Sequence, residues 1–263
     1  MSVLWHNGEL RPAGEPALRA SDRALRGHGV FDTLLVIDGR LCHGDAHFER
    51  LKEHAALLGI ETAHDFHDIA QTLLKANEAR SGRFALNTVI TGGTGARGLT
   101  APDPLHPEVM MQISPAPDSL PAIEAVIAQS VRRNEGSPLS RIKSINYGDN
   151  ILALNEASAQ GGNEAIMMNN AGHIACASVG NVFILEGGVL YTPPLSDGAM
   201  AGIVRGVLIE QFGAQEKTLS PQDLQSAAGV YISNSLRGLA PVTSLNGAPH
   251  IAAQLEIPKD FHE

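Results

Sequence analysis

The sequence predicts a two-domain protein that mixes helices and strands: a smaller α/β or α+β domain, then a larger domain dominated by strands and resembling a barrel. Three observations lead there. Strand-like and helix-like apolar patterns alternate up to Ser114. Three prolines then crowd Pro115-Ala-Pro117-Asp-Ser-Leu-Pro121, which makes a stiff connection. Beyond it, short apolar runs are separated by Asn-Ala-Gly, Gly-Gly and Asn-Gly, the chemistry of successive hairpin turns. The expected division is residues 1–117, a linker at 118–122, and residues 123–263.

Each element has a local reason. Leu4 to Leu10 forms a hairpin about Asn7-Gly8. Val30 to Ile37 is β-branched and aromatic, hence a strand, and Asp38-Gly39 turns it into Arg40-Leu41-Cys42. Asp45 is the expected cap of a helix with Phe48, Leu51, Ala55 and Leu58 on one face. A second helix is expected over Asp68 to Arg80, and strands over Arg83–Thr91 and Val109–Ser114. After the prolines, Ala122 to Arg132 reads as a strand, and a helix runs from Ile151 to about Gln160. Two hairpins follow, Ala165–Met168 with Ile174–Ala177 and Val182–Leu185 with Val189–Thr192. Gly202 to Phe212 is helical, Ser220 caps a short helix with Pro221 in its first turn, and Val230–Ser233 is a strand before a hairpin at Asn246-Gly247.

Composition excludes several classes. Net charge is −9 with no basic block, which argues against a nucleic-acid surface. Cys42 and Cys176 stand far apart with no metal-ligand spacing, as expected in a reducing compartment. No apolar run reaches membrane-spanning length, and the start lacks a basic-then-apolar leader, so the expected location is the cytoplasm.

Chemistry is expected at Arg141-Ile-Lys143-Ser-Ile-Asn-Tyr147-Gly. Of the five lysines, Lys52, Lys75, Lys217 and Lys259 have strongly polar neighbours. Lys143 is the only charge from Ile142 to Gly148. A partly desolvated lysine can serve as an amine nucleophile; the bland alternative is a lysine in an exposed strand-to-helix loop.

The run Lys143-Ser144-Ile145-Asn146, with Glu156-Ala157 at the end of the following helix, resembles the lysine segment of the class IV (fold type IV) pyridoxal-phosphate enzymes. That group holds branched-chain and D-amino acid aminotransferases and 4-amino-4-deoxychorismate lyase. The resemblance runs from about Asn7 to Pro241. It implies a homodimer, a fold type IV architecture with the cofactor domain second, and pyridoxal 5'-phosphate on Lys143.

The resemblance also implies roles elsewhere. Arg50, in His47-Phe-Glu-Arg50-Leu, matches an arginine that binds the cofactor phosphate; otherwise it is a surface helix residue paired to Glu49 or Glu53. Ala201-Gly-Ile203-Val204-Arg205 resembles Gly-Ile-Thr-Arg, whose helix-start amides bind phosphate, with Val204 replacing the threonine and its hydroxyl. Ser235 matches a phosphate-binding Ser or Thr, in a stretch from Ile232 to Val242 that resembles the deoxychorismate lyases more than the branched-chain aminotransferases. Tyr147 resembles a tyrosine on the cofactor's ring oxygen, with a spacing different by one. Arg97, in a glycine-rich loop, matches a substrate-carboxylate arginine that often works across a dimer interface.

Three departures stand out. His28 occupies the place of a usual acid, and Asp32 that of a usual Glu. Cys176 stands where the family has the Glu that pairs with the pyridine nitrogen, and a thiol is a weak donor. The implied activity is amino transfer between an amino acid and a 2-oxo acid. The alternatives are aminodeoxychorismate lyase, giving p-aminobenzoate and pyruvate, and a cofactor-binding paralogue with little turnover because of Cys176.

Overall fold

The computed structural model describes residues 2–253 and 255. The chain forms two compact units. Of the described residues, one holds those up to Asp118 together with Lys143–Ile145; the other holds Ser119–Ile142 and those from Asn146 onward.

The first unit is a six-stranded sheet in the order β2-β1-β6-β5-β3-β4. Its strands are β1 (Val3–His6), β2 (Glu9–Pro12), β3 (Gly29–Ile37), β4 (Arg40–Leu41), β5 (Arg83–Thr91) and β6 (Glu108–Pro115), and neighbouring strands run antiparallel. That makes the unit α+β. Two helices, α1 (Gly44–Leu57) and α2 (Phe66–Ala76), belong to the same unit. Both begin earlier than the sequence suggests. The N-cap of α1 is His43, in the left-handed region at φ 52°, so Asp45 falls inside the first turn. For α2, Asp65 caps, accepting from the amides of His67 and Asp68, and Asp68 is again inside.

The second unit is a nine-stranded mixed sheet. Its strands are β7 (Ile123–Ile127), β8 (Glu164–Met168), β9 (Ile174–Ala177), β10 (Asn181–Glu186), β11 (Val189–Thr192), β12 (Gln215–Glu216), β13 (Gly229–Asn234), β14 (Gly238–Leu245) and β15 (Ala248–Pro249). The order is β12-β11-β10-β13-β14-β7-β8-β9, with β15 on β14. Ile174 and Ala177 of terminal β9 share one buried core with Val182 and Ile184 of β10 and Val230 and Ile232 of β13. Strands four and five places apart can meet in one core only if the sheet curls, and the result is a half-barrel. The strand expected over Ala122–Arg132 stops at Ile127, because the amides of Gln129 and Ser130 turn to the Glu156 carboxylate instead of a ladder.

Helix α3 (Gly148–Ala159) links the parallel strands β7 and β8, and its Ala153 and Ala157 pack on the opposite side of the sheet with Val126, Met167 and Cys176. Helix α4 (Ile203–Phe212) packs Val204 and Leu208 against Phe183 and Tyr231. Helix α5 (Pro221–Ser226) opens on a capping box between Ser220 and Asp223. Among the described residues, no helix is long and apolar enough to cross a membrane.

Candidate active site

Lys143 counts with the first unit because its backbone pairs there. Phe31 N–H donates to the Lys143 carbonyl at 2.9 Å, and Ile145 N–H donates to the Gly29 carbonyl at 3.0 Å. Val30 and Ser144 sit opposite each other in this short antiparallel bridge. The strip needs Gly29. A Cβ there would stand 2.7 Å from the Ile90 carbonyl oxygen and 3.1 Å from Ile145 Cδ1. Lys143 is half-buried, and its Nζ lies 4.3 Å from the centre of the Phe31 ring.

Helix α1 brings a polar stripe to the same unit. His47, Arg50 and His54 are spaced three and four apart, so they share one face. All three are buried, beside the apolar stripe of Phe48, Leu51 and Ala55. The stripe converges on Asp32 of β3, only 4% exposed. Arg50 Nε donates to Asp32 Oδ2 at 2.9 Å, and Arg50 Nη2 donates to Oδ1 and Oδ2 at 2.8 and 2.7 Å. His47 Nδ1 lies 2.8 Å from Asp32 Oδ1. Burial pushes the Asp32 carboxyl up, but Arg50, His47 and Lys143 outweigh it and hold the group well below the usual carboxylate range. Arg50 is therefore a buried, oriented cation rather than a surface helix residue.

His54 escaped the sequence reading. Its Nδ1 accepts the Lys143 backbone N–H at 3.1 Å. Burial first, then the positive charges of Arg50 and Lys143, lowers its pKa to about 4 against the pull of Asp32. The available signal was the helical spacing of His47, Arg50 and His54, hidden in a segment rich in charged residues.

The Arg97 loop follows β5. Arg97 itself is exposed, while Arg23, 4% exposed, holds the end of the loop through the carbonyls of Leu99 (2.8 Å) and Thr100 (3.2 Å). Arg23 Nε also donates to His28 Nδ1 at 2.7 Å, so the histidine in place of an acid serves as an acceptor.

The second unit holds the other expected residues. Tyr147 is half-buried at the N-cap of α3. Ile203 and Val204 open α4, whose N-cap Gly202 makes no side-chain cap bond. Gly202 is demanded by Asn181: a Cβ would fall 2.1 Å from Asn181 Oδ1, while Asn181 Nδ2 donates to the Met200 carbonyl at 2.9 Å. Ser235 lies in the β13–β14 turn, where Asn234 Oδ1 accepts from the amides of Leu236 and Arg237. Nearby in sequence, Ser233 Oγ is buried without a hydrogen-bond partner. Cys176 is buried on β9 in the α3-side core, whereas Val204 belongs to the core under α4. Burial pushes the Cys176 thiol up; Arg133 opposes this and Glu164 adds to it. The thiol is neutral at pH 7. Glu164, itself raised by burial, spends its carboxyl on the amides of Ala165 and Ser178 and on the Ser178 hydroxyl.

The family described as Amino-transferase class IV matches residues 29–245, and the chain belongs to it. Within it, the chain is 28% identical to an aminodeoxychorismate lyase of Bacillus subtilis, over 92% of this chain and 86% of that one. It is 26% identical to a bifunctional aminodeoxychorismate lyase / D-amino acid transaminase of Mycobacterium tuberculosis, over 93% and 91% of the two chains. A solved structure titled a hypothetical aminotransferase from Mycobacterium tuberculosis, PLP-bound form, superposes with a TM-score of 0.82 at 24% identity, covering 96% of this chain and 94% of that one. The last likeness speaks for the fold.

Proposed function

We propose that this protein is a pyridoxal-phosphate-dependent aminotransferase that moves an amino group between an amino acid and a 2-oxo acid, working in the cytoplasm as a homodimer. The observation that carries this reading is Lys143, half-buried and held through both its backbone polar groups beside a buried arginine. The residues fit an anionic aromatic aldehyde. Lys143 offers the amine, Arg50 a buried guanidinium, and the first turn of α4 the amides that an α-helix leaves without internal partners. The unpartnered Ser233 hydroxyl is a further polar group suited to a ligand. In this reading Ile203, Val204 and Ser235 hold phosphate, Tyr147 supports the ring oxygen, and Arg97 meets the substrate carboxylate.

When bound, pyridoxal phosphate supplies an electron-withdrawing ring that acidifies the substrate α-carbon. Lys143 would hold the cofactor through its side-chain amine and, with that amine freed by a substrate amine, would serve as the base for the α-proton. Asp32 keeps Arg50 pointed, and Phe31 shelters the amine from water on one side. Cys176, a neutral thiol, would give no charge to a ring nitrogen held beside it.

A second reading, aminodeoxychorismate lyase, is favoured by the likeness to two relatives bearing that activity in their names. It needs the same proton abstraction, followed by loss of pyruvate. The experiment is borohydride reduction with pyridoxal phosphate and peptide mass mapping, then single-turnover spectra with D- and L-amino acids beside an assay for p-aminobenzoate. Label at Lys143 and turnover of an amino acid support amino transfer. Aminobenzoate formation with no amino transfer would favour the lyase. Absence of label at Lys143 would refute both.

A further inference from the structure

The two backbone groups of Lys143 go to different elements, and this sets an unusual demand on α1. The carbonyl is spent on Phe31, within the bridge to β3. The N–H donates instead to His54, a side chain three turns into α1. A buried backbone N–H without a partner costs about as much as a lost hydrogen bond, so something must accept here.

We infer that His54 is a positioning residue for Lys143: its Nδ1 accepts the lysine's backbone N–H and so sets the direction in which the side chain leaves the strip. The inference rests on the reading of Lys143 as the attachment lysine. The backbone N–H can only donate, so Nδ1 carries no proton and the neutral ring holds its hydrogen on Nε2. Burial and the adjacent cations of Arg50 and Lys143 favour that uncharged ring, with Asp32 the opposing charge. One helix face thus performs two tasks. Arg50 and His47 engage Asp32, and one turn later His54 engages the lysine segment. Any shift or rotation of α1 moves the arginine and the lysine together, which keeps their relation constant.

Two variants and one unmodified measurement test it. His54→Asn keeps an acceptor at the δ position, while His54→Leu keeps bulk without an acceptor. Hydrogen exchange of the peptide spanning Ile142–Asn146 should speed up roughly tenfold in His54→Leu, the scale of one lost buried hydrogen bond, and stay within about threefold in His54→Asn. Borohydride-trapped attachment of pyridoxal phosphate at Lys143 should slow in the same order. Nitrogen-15 NMR of the unmodified protein should find His54 as the Nε2–H tautomer, a readout that survives if neither variant folds. An Nδ1–H tautomer would overturn the inference. So would unchanged exchange and attachment in a folded His54→Leu, or a folded His54→Asn that behaves like His54→Leu. If wild-type label falls on another lysine, the attachment reading fails by itself, while exchange and tautomer still decide whether His54 holds the strip.

Discussion

Replacing Asp32 by Asn removes one charge from the centre of the α1 network while keeping its shape. Asp32 and Arg50 are 4% and 8% exposed, and two guanidinium nitrogens and one imidazole nitrogen reach the carboxylate at 2.7–2.9 Å. The amide offers one acceptor where the carboxylate offered two, and its NH2 must face another donor. Breaking one side of a buried pair costs about 3–5 kcal/mol, and the remaining acceptor places Asp32→Asn near 3 kcal/mol. Urea denaturation at pH 7 reads this directly as a lower midpoint at constant slope. The pH dependence has a definite sign. The folded carboxyl titrates well below the unfolded one, so its stabilisation is complete above the unfolded pKa and lost as pH falls through the folded one. The gap between wild type and Asp32→Asn should therefore be flat from pH 7 to about 5 and close only in stronger acid. A loss under about 1 kcal/mol at pH 7 would refute the claim that this pair organises α1 against β3.

Other outcomes are expected. The His54 pKa lies at about 4 against an ordinary 6.5, so the unfolded chain binds more protons between those values. Stability should fall as pH drops through that window, by about 2–3 kcal/mol, and His54→Asn should flatten the slope in urea titrations at successive pH values. Gly202→Ala should cost about 1–3 kcal/mol and weaken retention of pyridoxal phosphate, since its Cβ collides with Asn181 Oδ1 at 2.1 Å. Gly206→Ala, four residues on in α4 with nothing within 4 Å of the new atom, should be neutral or stabilising by about 1 kcal/mol in thermal melts. Cys176→Glu places a second carboxyl in the buried surroundings of Glu164. It should lower stability and, if residue 176 faces the ring nitrogen, shift the visible spectrum of bound cofactor. A stable, loaded variant with an unchanged spectrum would remove Cys176 from that position.

Local signals carried most elements. The strand Arg83–Thr91, the hairpin turn at Gly187-Gly188 and the Ser220-Pro221 helix start lie where residue chemistry puts them. The helices start before the expected cap Asp45 and the expected first residue Asp68, because His43 and Asp65 occupy the cap positions. Lys143 was legible through its isolation among apolar neighbours. Its acceptor was not, because the Lys143–His54 and Ser144–Val30 relations join residues far apart in sequence and leave no periodic trace. Asp32 showed as a departure from a pattern, but its bond to Arg50 required knowing that α1 packs on β3.

The strip Lys143–Ile145 also bears on how the chain comes to be folded. It enters the first unit from one side of the second unit's sequence and returns to it within three residues. A ribosome that has released everything through Asp118 has therefore not yet delivered the last piece of the first unit's sheet. Until Ile145 emerges, the edge at Gly29–Phe31 is exposed and His54 waits for its donor. Closing so distant a pairing is slow, and an open edge invites pairing with other chains. The lysine proposed to carry the chemistry is thus also the stitch that finishes the N-terminal sheet. A fragment ending at Asp118 should aggregate, whereas one supplied with a peptide spanning residues 138–148 should be partly rescued.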